Sequence, residues 1–582
     1  MSDTLSRYRS TDAPVPEECW AWNMYGAGVE SIGRDGRPER VDVPDPAADE
    51  LLVRVDAVGM CYSDVKLIKQ GGGHPKLYDR DLATHPTRLG HEATHTVMKV
   101  GADLQDQFHP GQRLALQPDI YQDGRSTAYG YTIPGGLIQF HLIGPEVLDA
   151  DAGSYVIPVE GDIGYAEAAL TEPWACVEAA YTQRRRLTPK GGGTMWIIGH
   201  PGDSRSYAFS SGLEAPARVV VTDAPPSVLK LVQAGAEKRE LEVVERNGLT
   251  PADYQGLSAQ VTDGAGFDDI AVLDPGSAHM VGEAAKLIAR RGTFNLVGRA
   301  PLDEAVSIDV GRIHYDYTAY VGNPGPDIAA SYGEERNRCE LRAGGTAVFV
   351  GAAGPMGQMH VQRAVELSQG PSVLIATDIN ADRLEVLRHS FVGLAEERGK
   401  RLLLFNPADS EESLKDLVMR ETDGHGADDV VVCVPSAPLM ASSAEIMAPN
   451  GMLVLFAGVP NGTMAPLDMS DVYLSNAQYT GTSGSTLDDQ RMVIRKTVEG
   501  ELSPSRSVGA IGGIEAAQDG VRAMMEGDYA GKVVIFPQIT GVPLTGVSEL
   551  KETLPAVAEQ LGSGGVWTSE AERVLIEEYW SP

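Results

Sequence analysis

A chain of 582 residues with 42% hydrophobic and 22% charged side chains is globular in composition, with room for about four domain-sized units. Its net charge of −33 argues against nucleic acid or an anionic membrane as a partner. No apolar run has membrane-spanning length, the N-terminus lacks a signal-peptide core, and five scattered cysteines suggest no disulfide framework, so a cytoplasmic location is expected.

Residues 1–186 read as a β-rich domain. Short alternating runs such as Glu50–Val55 and His95–Val100 are separated by Gly and Pro punctuation. Within it Cys61 offers a thiolate, and His91 an imidazole with the carboxylate of Glu92 beside it. Glu172, in the run Leu170–Trp174, offers a second carboxylate. Taken singly, these are a buried thiol, a core histidine and surface acids. Taken together they are the ligand set of a catalytic zinc, which needs three protein ligands and an open fourth position. Near Tyr165 the pattern turns helical, and Pro173 sits where a first helical turn tolerates it. The run Arg184–Arg186 then reads as compensation of that helix's dipole, in preference to a phosphate site.

From Gly191 the texture becomes alternating apolar strands and amphipathic helices, the pattern of βαβ units around a parallel sheet. It does so twice. Thr262–Ile270 recurs as Thr422–Val430, Gly192-Gly193-Thr194 as Gly344-Gly345-Thr346, and the strand ending at Asp223 as one ending at Asp378. Two tandem doubly wound domains are predicted, 187–335 and 336–488. The chain then returns to the first domain over 489–538, with a closing strand in Tyr529–Pro537, and 539–582 form a helical extension.

Only the second repeat keeps a dinucleotide turn. Gly351, Gly354, Pro355, Met356 and Gly357 follow a strand and open a helix, and Asp378 stands twenty-one residues beyond Gly357. Glycines there let backbone amides approach the pyrophosphate, and the acid suits a ribose 2′-hydroxyl, favouring NAD over NADP. Asn380, Arg383, Val434 and Ala457 complete the candidate cofactor contacts. In the first repeat Asp203 and Arg205 replace Pro355 and Gly357. A carboxylate facing a pyrophosphate is unfavourable, so that repeat is expected to be degenerate and to shape or pack instead.

The segments Gly59–Asp64, Gly90–Glu92, Gly111–Leu114, Thr171–Pro173 and the 351–357 turn resemble the zinc-dependent medium-chain dehydrogenase/reductase superfamily. Within it they are similar to the polyol branch of sorbitol dehydrogenase and L-sorbose-1-phosphate reductase. The resemblance implies a GroES-like catalytic domain with Rossmann domains, and Cys61, His91 and Glu172 as zinc ligands. Glu92 is then an alternative ligand, Asp64 orients His91, and Ser63 receives the substrate proton. Lys66 stands where many relatives place a relay histidine. The family's four-cysteine lobe is missing from loop 117–140, so one catalytic zinc and no structural zinc is expected. The implied reaction is hydride transfer between NAD(H) and a secondary alcohol or ketone of a sugar or polyol, a small-molecule substrate. The alternatives are an NAD-retaining epimerase or lyase, or a non-catalytic nucleotide or metabolite binder. A homo-oligomer is expected, as relatives are commonly dimers or tetramers.

Overall fold

The computed structural model of the protein describes residues 3–238 and 240–581. The first domain is built on an eight-stranded sheet. Its order is Val156–Pro158, Arg113–Leu116, Glu92–Val100, Leu51–Gly59, Lys532–Phe536, Val508–Gly513 and Thr545–Gly546, with Phe140–Ile143 also on Leu51–Gly59. Two of its central strands, Lys532–Phe536 and Val508–Gly513, therefore come from late in the chain. The strand Leu51–Gly59 is buried throughout, which explains its near-continuous apolar run. In the antiparallel register Gly59 faces Glu92, and Val534 faces Gly59 on the other side. Sheet register thus brings the segment after Gly59, the segment before Glu92 and Lys532 to one end of the sheet.

The two repeats each form a six-stranded parallel sheet. The first runs in the order Glu242–Glu245, Arg218–Thr222, Thr194–Ile198, Phe267–Leu273, Ile288–Val297, Ala319–Asn323. The second runs Arg401–Phe405, Val373–Thr377, Thr346–Val350, Ala427–Val432, Met447–Leu455, Gln478–Gly481. Both have the strand order of a doubly wound nucleotide fold. The duplication extends to individual hydrogen bonds. Asp269 accepts from the Arg186 guanidinium and the Lys190 amide, and Asp429 accepts from the Arg338 guanidinium and the Arg342 amide. Asp268 and Asp428 likewise accept from the amides of Thr194 and Thr346, each at 2.9 Å.

The repeats differ at one decisive place. In the second, the helix Pro355–Glu366 follows the first strand. In the first, residues 199–217 follow Thr194–Ile198 without a helix, and the next helix is Pro226–Lys238, after the second strand. There Arg205 is clasped between the carboxylates of Asp203 and Asp274.

The two repeats meet face to face. Val306–Asp309 pairs antiparallel with Met464–Leu467, the same element of each repeat. One continuous apolar core joins Phe294 and Tyr320 to Leu453 and Tyr479. The C-terminal extension ends in the helix Ser569–Tyr579, whose Leu575 and Ile576 are buried with Trp567. Trp580 meets the Tyr8 ring edge-on at 5.0 Å. Glu572 accepts from the Tyr165 and Ala166 amides at 2.6 and 2.8 Å, supplying partners for a helix start whose N-cap, Gly164, has no side chain.

The arginine run does not compensate a helix dipole, because the helix Thr171–Ala179 stops before it. Arg184 pairs with Asp489, Arg185 donates to the Arg338 carbonyl at 2.9 Å, and Arg186 pairs with Asp269. Arg185 and Arg186 thus tie the catalytic domain to the second and first repeats, while Arg184 holds the start of its returning segment.

Candidate metal centre and cofactor cleft

Cys61 is the N-cap of the helix Tyr62–Gln70, and its amide donates to the Asp64 carboxylate at 3.3 Å, closing the first turn. The same carboxylate, fully buried, lies 3.1 Å from His91 Nδ1. A carboxylate accepts here, so Nδ1 carries a proton and Nε2 is the ring atom left to face a metal. One ligand atom each from Cys61, His91 and Glu92 lies within 4.8 Å of the others, and among the described residues this is the group that could hold a metal. Glu92 Oε1 accepts from Lys532 Nζ at 2.5 Å, while Oε2 is buried without a hydrogen-bond partner. Gly59 leaves the room: a side chain on it would come within 2.2 Å of that oxygen. An orphaned buried carboxylate oxygen beside a soft sulfur and an imidazole fits a zinc ion.

Glu172 lies on the buried face of its helix but outside that 4.8 Å group. Burial pushes its carboxyl up to about 7, with His91 opposing and Glu92 adding to the rise. Its Oε1 is 3.9 Å from the Cys176 thiol, one helical turn on. Burial opposes charge on His91 too, but Asp64 and Cys61 outweigh it and raise its pKa well above the usual value. A metal must therefore displace a proton from this ring.

Ser63 Oγ lies 3.2 Å from Cys61 Sγ and 3.3 Å from His91 Nε2, touching both candidate ligands. Tyr131 stands over His91, with ring centroids 5.9 Å apart. Lys66 is exposed on the same helix as Ser63. Lys532 escaped sequence reasoning. Its one signal was a lysine opening an otherwise apolar strand, Lys532–Phe536, and it is 5% exposed.

The cofactor candidates gather at the carboxyl ends of the second sheet. Gly351 has φ +76°, and a side chain there would strike Val434 at 2.3 Å. One on Gly357 would come within 2.2 Å of the Gly351 carbonyl, so this glycine allows close helix–strand packing. Gly354, by contrast, has nothing nearer than 4.0 Å, leaving its backbone open to a ligand. Pro355 opens the helix, and Met356 packs against the core behind it. Asp378 accepts from the Ala353 and Asn380 amides, each at 3.1 Å. Asn380 caps the next helix by accepting from the Arg383 amide, while the Arg383 guanidinium reaches the Gly527 carbonyl of the catalytic domain. The Ala457 amide donates to the Val432 carbonyl at 3.0 Å, which sets the turn beyond Leu455. The open turn at Gly354, the helix start and the acid ending the second strand fit a dinucleotide.

Residues 47–178 match the alcohol dehydrogenase GroES-like domain, and residues 355–499 the zinc-binding dehydrogenase domain. The chain is 23% identical over 562 residues to L-sorbose 1-phosphate reductase of Klebsiella pneumoniae, covering 96% of this chain and 97% of that protein. It is 32% identical over 315 residues to the uncharacterized protein YggP of Escherichia coli K12, covering 50% of this chain and 72% of the relative. It is 28% identical over 323 residues to mannitol-1-phosphate 5-dehydrogenase of Aliivibrio fischeri, covering 52% and 74%.

Proposed function

The chain belongs to the zinc-dependent medium-chain dehydrogenase/reductase family, and from that premise we propose that it interconverts a secondary alcohol and a ketone of a sugar, polyol or sugar derivative, with NAD(H) as cofactor. The observation that carries the reading is the trio of half-buried Cys61 with buried His91 and Glu92, one carboxylate oxygen of which is unsatisfied. One zinc would be held by Cys61, His91 and Glu172 or Glu92, and NAD at the 351–378 turn; when bound they would supply Lewis acidity towards a substrate hydroxyl and an acceptor for its hydride.

This chain's residues prepare that chemistry. Asp64 fixes the tautomer and aim of His91. Lys532 holds Glu92 by one oxygen and balances its charge in a buried site. Ser63, in contact with both Cys61 and His91, is placed to take the substrate's hydroxyl proton. Lys66, exposed on the same helix, lies on the solvent side of that path.

The second repeat carries the cofactor in this reading and the first does not. Support comes from the helix that the first repeat lacks after Ile198 and from Arg205, clasped by two carboxylates. Asp378 is the basis for preferring NAD to NADP. A cytoplasmic location, proposed with the activity, is supported by five unpaired cysteines. Among the described residues no helix is long and apolar enough to cross a membrane. Light scattering will decide whether whole chains pair, since the seam between repeats already joins two nucleotide folds.

The test is direct. Purified protein is assayed for zinc, then for NADH formation with a panel of polyols and for NADH consumption with ketoses, phosphorylated and not. Stoichiometric zinc with turnover on at least one of them is expected. Zinc without hydride transfer to any of them would refute the reading.

A further inference from the structure

The first repeat reaches into the cleft of the second. Its helix Val310–Tyr315 stands against the carboxyl ends of Met447–Leu455 and Gln478–Gly481, the edge at which a doubly wound fold receives its ligands. His314 Nδ1 is 3.1 Å from the Leu455 carbonyl, which can only accept, so the proton sits on Nδ1. Burial, helped by the Lys66 ammonium on the metal-site helix, lowers its pKa to about 4, so the ring is neutral. A side chain on Gly458 would come within 2.5 Å of the Tyr315 hydroxyl and 2.7 Å of His314 Nε2, and one on Gly481 within 3.0 Å of the His314 Cα. The Tyr315 ring meets His314 edge-on at 4.5 Å. Tyr315 is half-buried, beside the turn that holds the cofactor candidate Ala457. Tyr317, two residues on, donates to the Ser483 carbonyl. Ser485, two residues beyond, accepts from Gln117 of the catalytic domain at 2.9 Å, so the catalytic domain, the second-repeat strand ends and the first-repeat helix meet at one place.

We propose that Tyr315 is a specificity-determining residue, its hydroxyl binding a hydroxyl of the sugar or polyol next to the reacting carbon, and that His314 is the positioning residue that holds the 456–458 turn against it. This rests on the dehydrogenase reading above and assigns a task to the repeat without the dinucleotide turn. A polyhydroxy substrate needs polar partners beyond the metal, and a hydrogen bond made by one hydroxyl is worth enough to separate it from a deoxy analogue by about tenfold.

The experiment compares the zinc-loaded parent with Tyr315→Phe, a change that removes one oxygen from a half-buried ring. KM for the best polyol should rise about tenfold, with zinc content and KM for NAD within about twofold of the parent. The matching deoxy alcohol should be used equally by both proteins, which a merely structural effect would not produce. His314→Asn, still able to donate to the Leu455 carbonyl, should keep parental KM values, whereas His314→Leu should raise KM for NAD. Unchanged polyol KM in Tyr315→Phe, or an equal loss on the deoxy alcohol, overturns the inference while leaving the dehydrogenase reading intact. A parent that transfers no hydride to any polyol overturns both.

Discussion

Replacing Lys532 by Met is the sharpest probe of the metal centre. Lys532 and Glu92 meet at 2.5 Å with side chains 5% and 0% exposed, and burial opposes charge on the lysine while Glu92 raises its pKa. Removing one partner of a buried ion pair leaves an uncompensated charge, at a cost of about 3–5 kcal/mol. For a domain of this size each kcal/mol shifts the midpoint by roughly 2–4 °C, so the metal-free catalytic domain should melt about 6–20 °C lower. Zinc should recover much of that loss, because a cation then answers the Glu92 charge and binding favours the folded state. In the metal-free protein the double variant Lys532→Met with Glu92→Gln should be more stable than the single one, since the stranded charge is gone. Calorimetry of apo and zinc-loaded samples reads all of these. An unshifted midpoint in apo Lys532→Met, or a double variant no better than the single, would refute the reasoning.

Asp64→Asn should weaken zinc about 10–100-fold in a chelator competition without unfolding the chain, since it removes the charge that orients His91. Asp378→Ala should relax the preference for NAD over NADP, read as the ratio of the two kcat/KM values. Arg205→Gly should leave NAD affinity within about twofold, and calorimetry of the parent should count one NAD per chain, as the first repeat lacks the helix that would present its amides. Glu572→Gln tests the extension. Burial pushes this carboxyl from 4.5 up to about 7, so the folded state holds its proton more tightly than the unfolded chain. Its contribution is fully present below about pH 4.5 and is lost as pH rises towards 7, on the order of 3 kcal/mol across that window. The variant should show a flatter stability profile between those pH values.

Much of the site was legible because its parts are local. Cys61, Ser63 and Asp64 share one helical turn, His91 adjoins Glu92, and the 351–357 turn carries its glycines in sequence. The duplication was legible as repeated strings, down to the aspartates that clasp Arg186 and Arg338. What escaped depends on contacts between distant segments. Lys532 becomes a partner of Glu92 only through the register of a strand that returns hundreds of residues later. His314 and Tyr315 acquire meaning only when one repeat docks on the other. The arginine run was misread because the helix before it stops at Ala179, and no side-chain pattern marks that stop.

The pairing of Val306–Asp309 with Met464–Leu467 has a consequence for behaviour on dilution. Both partners ride on one polypeptide, so their encounter is intramolecular and its effective concentration does not fall as protein becomes scarce. Association between separate subunits fades at low abundance, but this tethered pair stays whole in a single molecule. Its two halves are also free to diverge, since a change in either is not mirrored in the other, as it would be in a symmetric dimer.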